Sequence, residues 1–78
     1  MTNLDKFIAE YEKQLTLAVQ NYPAEFGYPV SYVPTVIGRM KNAIINQTYN
    51  KDGRGIKNTC KALGIKYTYQ AINDYVKA

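Results

Sequence analysis

Seventy-eight residues with a hydrophobic content of 46% suffice for one domain with one small core, and they exclude both a second core and a disordered chain. A single cysteine, Cys60, and no histidine exclude an internal disulfide and a Cys/His metal site. The net charge of +4 is unevenly spread: Met1 to Ile37 carries two cations against four carboxylates, and Gly38 to Ala78 carries eight against two. That asymmetry points to a polyanionic partner, most often nucleic acid, although ordinary solvated lysines have the same composition.

Leu4, Phe7, Ile8, Tyr11, Leu15, Ala18, Val19 and Tyr22 recur at three- and four-residue spacing, which predicts a helix over about residues 3 to 21. Asn3 is its expected N-cap, Asp5 suits the positive helix end, and Pro23 stops it for want of an N–H. Leu17 falls on the opposite face, where it either packs under the following loop or marks a subunit contact.

Residues 22 to 33 combine Pro23, Gly27 and Pro29 with Tyr22, Phe26, Tyr28 and Tyr32. Regular structure is disfavoured here, and the aromatics are expected to fold back over a helical core. The alternative is an exposed aromatic surface for a partner or for stacking on bases.

Pro34 fits the first turn of a second helix over about 34 to 48, with Val33, Val36, Ile37, Met40, Ala43, Ile44 and Thr48 on one face. Tyr49 to Gly53 reads as a turn, and so does Gly53-Arg54-Gly55, which is too short and isolated for a phosphate loop. A third helix is expected at about 55 to 63 on the stripe Ile56, Thr59, Cys60 and Leu63. Gly64 breaks it, and a fourth follows at about 67 to 77 on Ile65, Tyr69, Ile72 and Val76. The expected fold class is therefore all-α: a small four-helix domain, residues 1 to 78, with a core of Phe7, Ile8, Tyr11, Leu15, Ile37, Met40, Ile44, Cys60, Leu63, Ile65 and Ile72.

The segment from Ile56 to Ile72 has a small residue, Cys60, followed by Leu63-Gly64-Ile65, where the glycine can take a positive φ and its neighbours anchor the turn. It resembles the helix-turn-helix of phage and bacterial DNA-binding proteins, the likeness covering residues 54 to 76. The motif usually has an aliphatic residue six positions after the turn glycine. Gln70 stands there, which suggests a displaced start for the last helix, with Thr68 near its cap. A plain helical hairpin carries the same Leu-Gly-Ile.

The resemblance implies that the last helix enters the major groove and presents Lys66, Tyr67, Gln70, Asn73, Asp74 and Lys77. Gln70 and Asn73 have the amides that pair with adenine, and Lys66 reaches guanine or phosphate. Arg54, Lys57 and Lys61 would hold phosphates, while Asp74 carries the wrong sign for that role.

The expected function is sequence-specific binding of double-stranded DNA by a small regulator of phage or mobile-element type, acting on transcription. The alternative is a protein-interaction module that modulates a host protein through the first helix and the Tyr-rich loop, with Tyr28 and Tyr32 as contacts. A third reading is single-stranded nucleic acid stacked on exposed tyrosines. A homodimer is expected by analogy with two-fold readers, with Leu17 and the Tyr-rich loop as its contacts. Catalysis and cofactors are not expected: there is no histidine, no base beside Cys60, and Glu10 and Glu12 diverge on their helix. The opening residues carry neither a basic leader nor an apolar run, and no stretch is long enough to span a bilayer, so the cytoplasm is the expected location.

Overall fold

The computed structural model describes residues 1–78. The chain is all-α, with five helices and no strand: α1 (Asn3–Asn21), α2 (Pro23–Phe26), α3 (Val33–Ile45), α4 (Arg54–Leu63) and α5 (Tyr69–Lys77), plus a 3-10 turn at Val30–Tyr32. Four of these match the expected helices, and α2 is a single extra turn.

Helix α1 is the spine. Its N-cap is Thr2 rather than Asn3: the Asp5 amide donates to Thr2 Oγ1 at 3.1 Å and the Thr2 amide donates to Asp5 Oδ2 at 3.3 Å. This reciprocal box satisfies two backbone donors at once, which a lone Asn cap could not do. Phe7, Tyr11, Leu15, Ala18 and Val19 form its buried stripe, and α3, α4 and α5 all pack against it. The burial of Cys60 and Ile72 places α4 and α5 on the same core as Phe7 and Val19.

The Tyr-rich segment folds back as expected. Phe26 and Tyr28 pack against the core, and Phe26, Tyr28 and Tyr32 form an aromatic series at 5.9 and 5.2 Å between successive rings. It leaves Leu17 46% exposed, so the packing alternative for that residue falls away.

Helix α3 ends at Ile45, three residues before the expected boundary. Gln47 takes φ +57°, and the Thr48 and Gln47 amides turn back to the Ala43 and Ile44 carbonyls at 2.8 and 3.2 Å. That closure satisfies the last carbonyls and redirects the chain. Thr48 is consequently exposed, whereas Tyr49, expected in a surface turn, is buried.

Helix α4 begins at Arg54, so Arg54 and Gly55 are its first turn and not a loop. Gly55 is buried against α1, and a Cβ at that position would lie 2.7 Å from Tyr11 Cε1. The missing side chain is what allows the two helices to approach this closely. Gly64 has φ +70° and the Ile65 amide returns to the Cys60 carbonyl at 2.9 Å, the turn that Leu63-Gly64-Ile65 predicts. Ile8, Met40, Leu63 and Ile65, expected in the core, are half-buried at its margin, while Val33, Ile56 and Thr59 are fully inside.

The two helical glycines Gly38 and Gly55 should respond in opposite ways to alanine. Gly38 has open space around its Cα, so Gly38→Ala should stabilise the domain by about 0.5–1 kcal/mol through lower unfolded-state entropy. Gly55→Ala must displace the Tyr11 ring and should destabilise by about 1–3 kcal/mol. Urea unfolding compares them, and a Gly55→Ala protein as stable as the parent would contradict the close approach.

Candidate nucleic-acid interface

Helix α4 buries Gly55, Ile56, Thr59 and Cys60 and turns Arg54, Lys57, Asn58 and Lys61 outward. The division follows from helical spacing, since residues three and four apart share a face. No carboxylate occurs in α4. The outward residues, together with Tyr67 and with Glu25 and Phe26 of α2, line an open groove of about 820 Å³.

Within this groove the cations are not equivalent. Arg54 Nε donates to Glu25 Oε2 at 2.7 Å, and its guanidinium lies 4.0 Å from the centre of the Tyr22 ring. Lys57 and Lys61 make no ion pair, and neither does Lys66 in the turn after α4. All three are exposed.

Thr68 caps α5, its hydroxyl accepting from the Ala71 amide at 3.1 Å, so α5 starts at Tyr69 and Lys66 and Tyr67 precede it. Tyr67 is half-buried: its hydroxyl donates to the Lys51 carbonyl at 2.7 Å and its ring lies 4.5 Å from Lys51 Nζ. Asn73 is also half-buried, accepting from the Tyr49 hydroxyl at 3.2 Å. Gln70 is exposed and donates to Asp74 Oδ1 at 2.8 Å. Lys77 sits at the far end of α5, beside an apolar cleft between Leu4, Ile45 and Val76.

No family model, curated protein or solved structure matches this chain. The helix-turn-helix likeness therefore rests on the residues of 54 to 76 alone. The connection Gly64–Thr68 is five residues long, against the three or four usual for that motif. Both α4 and α5 take their main packing from α1.

Of the eight residues expected at the interface, Arg54, Lys57, Lys61 and Tyr67 share one groove, Lys66 and Gln70 are exposed outside it, and Asn73 and Lys77 face other depressions. Four groove residues, Glu25, Phe26, Gly53 and Asn58, were not among the expected interface residues, and two of them carry polar side chains. Asn58 could have been found from its place one residue after Lys57 on the outward arc of α4. Glu25 could not, because its pairing with Arg54 joins residues 29 apart in the chain. The Cys60 thiol lies under α1 and burial pushes its pKa up, which keeps it protonated at neutral pH. No helix is long and apolar enough to cross a membrane.

Proposed function

We propose that this protein binds double-stranded DNA, as a small cytoplasmic regulator of phage or mobile-element type. The observation that carries the reading is the run of exposed, unpaired cations Lys57, Lys61 and Lys66 along α4 and the turn that follows, on a helix without a carboxylate. Cations free of internal partners can neutralise phosphates at no loss of an existing bond, and counterion release then supplies the affinity. Base reading would fall to Gln70 on the exposed edge of α5, which must exchange its bond with Asp74 for the edge of a base. Asn73 is held by Tyr49 and is the weaker reader. A two-fold dimer through Leu17 would join two half-sites.

Salt dependence tests the proposal. Affinity for random duplex should fall steeply as salt rises, and Lys57→Ala, Lys61→Ala and Lys66→Ala should each make the slope of log K against log salt shallower by about 0.9. Gln70→Ala should weaken a selected site by about 1–3 kcal/mol and leave random duplex nearly unchanged. Absence of duplex binding at low salt would reject the reading.

A second reading, docking on a protein partner, is favoured by the exposure of Leu17, Tyr22, Val30 and Tyr32 on α1 and the segment after it. Tyr28 is wedged between Phe26 and Tyr32, so Tyr32 is the contact to vary. Loss of partner capture in Tyr32→Ala, with duplex affinity absent from the parent, would select it.

A further inference from the structure

The groove beside α4 holds one carboxylate, that of Glu25, among Arg54, Lys57 and Lys61. The Glu25 side chain is itself exposed, although the neighbouring Phe26 packs on the core. Helix α2 is a single turn with no buried residue, entered through Pro23 and left through Gly27 at φ +72°. Glu25 and Arg54 are each about half exposed (50% and 46%), and an ion pair so placed is weak. What the carboxylate does is occupy the one guanidinium of the groove, with an oxygen where a phosphate oxygen would bond.

We infer that this groove is a phosphate-binding site whose resident occupant is the Glu25 carboxylate, and that a phosphodiester engages Arg54 by displacing it. The inference rests on the duplex-binding reading for the identity of the ligand, and on the geometry alone for the site. Once Glu25 leaves, the Tyr22 ring still supports the guanidinium at 4.0 Å. Arg54 is thereby kept facing the groove and loses little freedom when phosphate binds. Lys57 and Lys61, one turn apart on the same wall, supply the attraction that brings the strand in. Glu25 thus weakens general affinity for polyanions while leaving the lysines free to steer them. An exposed phosphodiester must outcompete an internal acid, and short or weakly charged anions fail to do so.

The test is a cycle on the intact chain. Duplex affinity is measured across salt for the parent, Glu25→Gln, Arg54→Ala and the double variant, with Glu12→Gln as a control that removes one carboxylate of α1 outside the groove and outside any ion pair. Glu25→Gln should tighten random duplex about threefold to tenfold at low salt with the salt slope nearly unchanged, because Arg54 meets the same phosphate in both proteins and the variant only spares the displacement of the internal acid. The gain should exceed that of Glu12→Gln and vanish when Arg54 is absent. Arg54→Gln replaces the alanine variant if circular dichroism shows the latter to be unfolded. An equal gain in Glu12→Gln, or a gain that survives loss of Arg54, overturns the inference. If no form binds duplex, the DNA reading falls and inorganic pyrophosphate becomes the probe of the site. Tighter pyrophosphate binding by Glu25→Gln that depends on Arg54 then upholds the site, and unchanged binding overturns it.

Discussion

Phe7→Ala is expected to cost about 3–5 kcal/mol, out of a total of roughly 4–12 kcal/mol for a domain of this length. Phe7 is wholly buried on the spine helix, among the side chains where α1 meets the rest of the core, with the Tyr75 ring 6.5 Å away. Truncation leaves a cavity bordered by parts of several helices, and no single element can shift to fill it. Leu63→Ala should cost less, about 1–2 kcal/mol, because Leu63 lies half-buried at the edge where neighbours can relax. Lys57→Ala should change stability by under about 0.5 kcal/mol. Urea unfolding followed by circular dichroism orders the three, and an order with Leu63→Ala at least as damaging as Phe7→Ala would mean the core is centred elsewhere.

Alkaline pH should destabilise the protein through Tyr11. Burial against α4, with a smaller contribution from Tyr28 nearby, pushes the phenol from 10.0 up to about 12. The folded state holds this proton more tightly than the unfolded state. The stabilisation it confers is therefore complete below pH 10 and is lost as pH rises through 10 to 12, by about 2–3 kcal/mol. The phenols of Tyr28 and Tyr49 are raised in the same direction by burial and add to the slope. Tyr11→Phe keeps the ring that packs on Gly55 and removes the proton. Its melting temperature should fall less than that of the parent between pH 9 and 11.5 or so, and parallel curves would count against a buried neutral phenol.

Much of the helix layout was legible in the sequence because its signals are local. The stripe from Phe7 to Val19 and the stop at Pro23 set both ends of α1 within a residue. The Gly64 turn was legible for the same reason. The end of α3 was not, because the residue in the left-handed conformation is Gln47, and nothing in its chemistry announces a positive φ. Gly55 misled in the opposite sense. A glycine near a turn suggested a loop, yet its role is to admit the Tyr11 ring from a helix 44 residues earlier in the chain.

The candidate site divides along the same line. Lys57 and Lys61 follow from spacing on one helix, so their exposure could be foreseen. The engagement of Arg54 with Glu25, of Tyr67 with Lys51 and of Asn73 with Tyr49 joins residues 29, 16 and 24 positions apart. Each depends on how segments distant in the chain come to lie beside one another, which periodicity does not encode.

That α1 serves as the spine bears on how the chain acquires its fold. During synthesis α1 emerges well before α4 and α5, and in the meantime its apolar stripe has only α3 and the aromatic segment to meet. The contact of Tyr11 with Gly55 spans more than half of the chain. Such separation is high for a helical protein, and loop-closure entropy delays the reward of collapse until the distant partner arrives. The nascent chain should therefore remain protease-sensitive until α4 has cleared the ribosome, and then fold in one step around a helix made long before.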